Sequence, residues 1–204
     1  MYFHRPPFWL RMAAPKALWM MPAEGKVIYL TFDDGPVPGI TDRLLTLLEK
    51  NEVKATFFCL GKNAKENQEL VYSLRKAGHA IGHHSFSHLK GWQTDDRTYM
   101  EDVEYAADII GGKLFRPPYG KLKTSQLRYV CSMYTVVMWS LMPGDFDPEI
   151  SAEQCFKLAL KSSRSGDIVV FHDNLKCGEK MLEVIEKYLP EMKLRGFSFD
   201  VLLS

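Results

Sequence analysis

The 204-residue chain carries 26 basic and 25 acidic side chains, a formal charge of +1, which excludes a global field drawing it to nucleic acid or an acidic surface. That length suits one domain with a sizeable core and is too short for two comfortable ones. Four cysteines, Cys59, Cys131, Cys155 and Cys177, stand far apart without a C-x-x-C pair, so neither a zinc knuckle nor a redox dithiol is indicated.

Residues 1–25 read as a lead-in to a single domain over 26–204. The lead-in sets Arg5, Arg11 and Lys16 among Phe8, Trp9, Leu10, Leu18, Trp19 and Met20. None of its apolar stretches is long enough to cross a bilayer, and all are short for a signal-peptide core. The expectation is a segment packing its aromatics on the domain, with reduced thiols and the lack of an export signal suiting the cytoplasm.

The first strand, Val27, Ile28, Tyr29, Leu30 and Phe32, ends at Asp33-Asp34 and is stopped by Gly35-Pro36. Two neighbouring carboxylates beside a low-dielectric core repel, and a proton, a base or a metal must relieve one of them. A helix follows with Ile40, Leu44, Leu45, Leu47 and Leu48, then a strand over 54–60, a helix over 63–76 and a short strand over 79–82.

Just beyond lies His84-Ser85-Phe86-Ser87-His88, two imidazoles four residues apart, one above the other if the segment turns helically. Two His and one carboxylate make a three-ligand set that leaves a position open for water, as catalytic zinc sites do. His79 and His83 share the spacing, but His79 sits in an apolar run, where a lone His is usually a hydrogen-bonded structural residue. The pair His84 and His88 is therefore preferred.

A helix with Met100, Val103, Ala106, Ala107 and Ile110 leads to a strand at 113–115, which delivers Arg116 into Pro117-Pro118. A helix over 125–131 and a strand over 134–139 come next. Ser151 with Gln154 reads as a capping box opening another helix. The sixth strand, 167–171, ends at His172-Asp173; a helix through Met181, Leu182, Ile185 and Leu189 and a seventh strand over 197–202 complete the chain.

Strands alternating with helices argue for parallel strands joined by right-handed crossovers, with the site at the strands' carboxyl ends. Asp33-Asp34, His84/His88, Arg116, Trp139 with Asp145, and His172 all fall just past strand ends. Trp92, Tyr119 and Trp139 are candidate sugar-stacking surfaces on that rim, or packing residues.

These residues resemble the polysaccharide deacetylases that share the NodB homology domain, carbohydrate esterase family 4. The five family motifs occur in order: Thr-Phe-Asp-Asp-Gly-Pro at 31–36, His-Ser-Phe-Ser-His at 84–88, Arg-Pro-Pro-Tyr at 116–119, the segment 139–146, and Ile-Val-Val-Phe-His at 168–172. The resemblance implies an α/β fold, a distorted (β/α)7 barrel, and metal-dependent removal of acetyl groups from N-acetylated sugars of a glycan such as peptidoglycan or a chitin-like oligosaccharide. An O-deacetylase of acetylated xylan and a non-catalytic carbohydrate-binding relative are the alternatives.

By the same resemblance Asp34, His84 and His88 hold a divalent metal, most often zinc, with cobalt, manganese or nickel as substitutes. Asp33 is the general base, Arg116 holds it, the Tyr119 N–H serves the oxyanion, His172 is the general acid, and Trp139 and Val170 line the acetyl-methyl pocket. The expected partner is an acetylated glycan met by a monomer or weak oligomer, a substrate that points to the cell envelope. The chain departs from the family pattern at His83, usually Asn, at Met142, usually the Asp that tunes the acid histidine, and at Phe146, usually Trp. Asp145 is the residue placed to stand in for the missing carboxylate.

Overall fold

The structure, a computed structural model, describes residues 2–203. A parallel sheet carries the fold: β1 (Val27–Asp33), β2 (Thr56–Cys59), β3 (Ala80–His83), β4 (Leu114–Phe115), β5 (Thr135–Val136), β6 (Ile168–His172) and β7 (Ser198–Asp200). The order across the sheet is β5-β4-β3-β2-β1-β6, with β7 paired to the start of β1. β2 is wholly buried and β1 almost so, as strands covered on both faces require.

Around the sheet run α1 (Phe8–Ala13), α2 (Thr41–Lys50), α3 (Gly61–Glu66), α4 (Gln68–Lys76), α5 (Asp96–Ile110), α6 (Thr124–Met133), α7 (Ala152–Ser162) and α8 (Gly178–Leu194). Each long helix turns one apolar stripe inward: Leu44 and Leu48 from α2, Tyr99, Val103 and Ala106 from α5, Ile185, Tyr188 and Leu189 from α8. The capping box at Ser151 and Gln154 forms, and Asp95 caps α5 by accepting the Thr98 N–H.

Two expected elements are broken. The helix read over 63–76 is two, α3 and α4, because Asn67 leaves helical geometry at φ −130° and donates its side-chain amide to the Asn63 carbonyl. The strand read over 134–139 keeps regular pairing only at Thr135 and Val136. Beyond it the backbone bonds are divided: Val137 N–H goes to Phe115, Met138 N–H to Leu18, and Ser140 N–H to Ile168. The carbonyls of Val137 and Met138 are taken by the Arg116 guanidinium instead of a neighbouring strand. The chain thereby swings from β5 to β6, which it meets at Leu141 opposite Val169, and closes a barrel with an irregular seam.

The lead-in fills that seam. Leu18 bridges Val137, Met20 bridges Asp167, Trp19 is buried, and Arg5 pairs with Asp167 at 2.5 Å. Phe8 and Trp9 do not pack as expected: they are 76% and 63% exposed. No helix among the described residues is long and apolar enough to cross a membrane.

Candidate active site

Register brings the candidate catalytic groups together. Asp33 at the end of β1 lies beside His172 at the end of β6, and two residues earlier Thr31 lies beside Val170. Successive side chains alternate faces, so Asp33, His172, Thr31 and Val170 share one side of the sheet.

Arg116 is fully buried directly after β4 and locks this floor. Its Nη1 donates to Asp33 Oδ1 and to Thr31 Oγ1, both at 2.7 Å, while its Cζ lies 4.1 Å from the centre of the Phe58 ring. The guanidinium is a donor in every direction and finds an acceptor on each side, the condition under which a buried cation persists. Asp33 Oδ2 is left facing His84 Nε2 at 3.9 Å.

Asp34 turns away from its neighbour because its backbone is left-handed, with φ at 82°. Its Oδ1 lies 3.8 Å from His84 Nε2 and 3.4 Å from His88 Nε2, and the three candidate ligand atoms fall within 4.8 Å of one another. That oxygen is buried and has no hydrogen-bond partner, whereas its Oδ2 accepts the Asn174 side-chain amide at 2.7 Å. Burial works against the charge on Asp34, but the facing imidazoles of His172, His84 and His88 and the Asn174 bond outweigh it and hold the carboxyl below its usual range.

His84 Nδ1 donates to the Arg116 carbonyl at 2.7 Å, which leaves the Nε2 lone pair free for a ligand. Burial, then the His84 charge, push His88 down to about 4 against the pull of Asp34 and Asp33, so its ring is neutral at pH 7. An orphaned buried carboxylate oxygen facing two imidazole nitrogens fits a divalent cation. The structure brings His84 and His88 together at Asp34 and sets the other pair apart from it. His79 accepts the Ala55 N–H, and His83 is buried between Phe115 and Tyr134 with both ring nitrogens unpartnered.

The helical turn expected at 84–88 is absent. Ser85 and His88 are left-handed, at φ 61° and 58°. The loop is held by Asp102 of α5, whose carboxylate accepts the Phe86 and Ser87 N–H groups at 3.0 and 3.1 Å. The rings still meet, with centroids 5.0 Å apart.

On the opposite wall Asp145 is fully buried and takes His172 twice, by its backbone N–H at 2.7 Å and by ring Nδ1 at 3.1 Å. An ionised carboxylate can only accept, so Nδ1 carries a proton and Nε2 is the exchanging atom. Burial opposes the imidazolium, but the Asp145 charge and hydrogen bond, then Asp34 and Asp33, push the ring up to about 10. Met142 lies in the same loop, its N–H donating to the His4 carbonyl and its own carbonyl accepting from His4 Nδ1, while Phe146 packs on both His172 and Tyr2.

Tyr119 is left-handed at φ 59°, half exposed, and its ring lies 4.7 Å from that of His88. Its N–H, following Pro117-Pro118, is spent on no acceptor among the described residues. Gly120 must lack a side chain here, since a Cβ would come within 2.5 Å of the Trp139 ring. Trp139 is partly buried against that turn, whereas Val170 is fully buried in the sheet.

Three residues at the site were not singled out from sequence. Asn174 holds Asp34 Oδ2, Asn63 donates to the Asp34 carbonyl at 2.8 Å, and Asp173 accepts from Gly35 N–H and Thr41 Oγ1. Burial, with help from the Asp34 charge and against the Thr41 and Gly35 bonds, pushes Asp173 up to about 7. The available signal was their position: Asp173-Asn174 directly follows a strand-end histidine and precedes a helix.

The chain as a whole is similar to known proteins. Residues 21–137 match the family model described as polysaccharide deacetylase. A peptidoglycan-N-acetylglucosamine deacetylase of Bacillus cereus is 34% identical over 194 residues, covering 89% of this chain and 88% of that protein. A chitooligosaccharide deacetylase of Azorhizobium caulinodans is 32% identical, covering 86% of this chain and 92% of that protein. Among solved structures, the Bc1960 peptidoglycan N-acetylglucosamine deacetylase in complex with 4-naphthalen-1-yl-N-oxidanyl-benzamide superposes with a TM-score of 0.88 at 27% identity, over 97% of this chain and 95% of that one. On the family match and the extent of these likenesses, the chain belongs to the polysaccharide deacetylase family.

Proposed function

We propose that the protein is a metal-dependent hydrolase that removes acetyl groups from N-acetylated sugars of a glycan, peptidoglycan or a chitin-like oligosaccharide, and releases acetate. The observation that carries this reading is the pairing, at one rim, of a proton acceptor and a proton donor on either side of a cation-shaped cluster: Asp33 with Arg116, Asp34 with His84 and His88, His172 with Asp145.

Amide hydrolysis is slow because water is a weak nucleophile and an amine anion a very poor leaving group, so both ends need help. A divalent cation held by Asp34, His84 and His88, zinc by its nitrogen and oxygen donors, would polarise the acetyl carbonyl and acidify water. Asp33 Oδ2 accepts the proton that the attacking water sheds, with Oδ1 pinned by Arg116 so that the free oxygen keeps its aim. The uncommitted Tyr119 N–H donates to the oxygen on which charge develops. His172, protonated through Asp145, donates from Nε2 to the departing nitrogen. Trp139 and Val170 line the space for the acetyl methyl group, and a peptidoglycan substrate would set the enzyme to work at the cell envelope.

The Asp145–His172 pair argues against a non-catalytic carbohydrate-binding protein, because a buried carboxylate holding an imidazole charged is costly where no proton is moved. Acetate release from N-acetylglucosamine oligomers and peptidoglycan, beside acetylated xylan, tests the reading. Release from the first two that stops on chelation is the expected result. Release from xylan alone would make it an O-deacetylase, and none from any would leave a binding protein.

A further inference from the structure

We infer that Asn174 is a positioning residue for the cation site: its side-chain amide fixes Asp34 so that only Oδ1 is offered to the ion. The inference rests on the metal reading above and extends it to a residue outside the family motifs.

Asn174 performs two tasks at once. Its Oδ1 accepts the backbone N–H groups of Lys176 and Cys177 at 2.8 and 3.1 Å, and its own backbone carbonyl accepts the Gly178 N–H at 2.8 Å, which closes the turn from β6 into α8. Those bonds settle which end of the amide is which, since flipping it would set the NH2 group against two donors and the oxygen against a carboxylate. Nδ2 therefore has to point at Asp34 Oδ2, which it reaches at 2.7 Å.

The other oxygen of Asp34 is the buried, unpartnered one that faces His84 and His88. With Oδ2 engaged, the carboxylate cannot swing to present both oxygens, nor turn toward the cationic His172 that ends β6 in the same segment. One turn thus carries the proton donor and also sets the orientation of the carboxylate ligand, so the distance between donor and cation is fixed by two residues of separation along the backbone. Partners of metal ligands of this kind typically contribute about 10–100-fold in metal affinity.

The test uses Asn174→Ser and Asn174→Ala in the full chain. Serine keeps a short acceptor for the Lys176 and Cys177 N–H groups but is too short to reach Asp34; alanine removes both functions. Zinc affinity is measured on the metal-free proteins by competition with a chromogenic chelator, with the visible spectrum of cobalt-loaded protein reporting coordination and thermal melting of the metal-free proteins reporting the turn. Both variants should bind zinc about 10–100-fold more weakly, with an altered cobalt spectrum, while only alanine lowers the metal-free melting temperature.

Zinc affinity within twofold of the unsubstituted protein in both variants would overturn the inference. So would weakened binding in the alanine variant alone, which would assign the effect to the turn. If the unsubstituted protein itself binds no zinc, the metal reading falls and this inference falls with it, a result distinct from the other two.

Discussion

Asp145 and His172 are joined by two hydrogen bonds, one to the backbone N–H and one to ring Nδ1, across 27 residues of sequence. Met142 stands where the family motif has its first Asp, and Asp145, at the motif's second, is the buried carboxylate that meets the histidine. The consequence for pH follows from sign. The ring is pushed up to about 10 by Asp145, Asp34 and Asp33 against burial, and a proton donor works below its own pKa, so the alkaline limb of turnover should lie above the ordinary histidine value of 6.5. A cation at Asp34 cancels that carboxylate's share, which leaves Asp145 the main anion and sets the limb between 6.5 and about 10. Asn at position 145 removes the charge and leaves burial in command, so the limb should move to the acid side. A pH–rate profile of Asp145→Asn on an N-acetylated oligomer checks this; an unmoved limb would remove Asp145 from the proton-transfer step.

The leaving group separates the donor from everything else at the site. His172→Ala should cost about 10²–10⁴-fold on amides and much less on activated acetyl esters, whose leaving groups depart without a proton. Parallel assays on an N-acetylated sugar and an aryl acetate make the comparison. Equal losses on both would mean that His172 acts through structure or charge and not as an acid.

The two adjacent aspartates should also separate. Asp33→Asn keeps an oxygen acceptor for Arg116 and leaves Asp34 untouched, so zinc content stays near one ion per chain while turnover drops by about 10²–10⁴-fold. His84→Ala should lose the metal itself, because its Nε2 is one of three ligand atoms. Metal analysis beside the acetate assay distinguishes them, and an active, metal-free His84→Ala protein would remove the cluster from the mechanism.

The candidate site residues were legible in the sequence because parallel strands deliver their last residues to one rim, so Asp33, His84, Arg116 and His172 needed only the strand ends to be picked out. Parallel strands with crossover helices followed from the alternation of strands and helices, and the distorted barrel from the resemblance to the family. What escaped depended on partners distant along the chain. The 84–88 segment has helical spacing but is drawn into a left-handed turn by Asp102, which nothing local announces. The strand after 134 lost its regularity to the Arg116 side chain, which claims two of its carbonyls. Asn174 looks like any turn residue until Asp34, 140 positions away, is seen against it.

Arg116 should matter to folding as much as to chemistry. It is fully buried, bonded to Asp33, Thr31, Val137 and Met138, and it holds the irregular seam after β5. Removing one partner of a buried pair strands the other charge, so Arg116→Ala should lose about 3–5 kcal/mol of stability. Lysine restores the charge but not the planar fork and should recover only part of it. Urea unfolding of the two variants measures both losses; a change within 1 kcal/mol for alanine, on the order of a surface substitution, would contradict the network's role.

The rim around Tyr119 carries a prediction about the charge of the glycan. Lys90 Nζ lies 5.7 Å from the centre of the exposed Tyr119 ring, Lys121 Nζ lies 5.2 Å from that of Trp92, and the two rings meet edge to face at 5.5 Å. Lys123 nearby is taken up by the Thr94 carbonyl and by Asp96, whereas Lys90 and Lys121 flank an aromatic platform beside His88. A sugar stacked on that platform would bring its substituents between two cations, which favours lactyl and peptide carboxylates over the neutral face of a chitin-like oligomer. Peptidoglycan fragments should therefore show a lower KM than N-acetylglucosamine oligomers of equal length at low salt. The gap should narrow as ionic strength shortens the Debye length from about 30 Å at 0.01 M to about 8 Å at 0.15 M. The double variant Lys90→Gln, Lys121→Gln should close it with kcat on the neutral oligomer preserved; a preference for the neutral oligomer in the unsubstituted enzyme would refute the assignment.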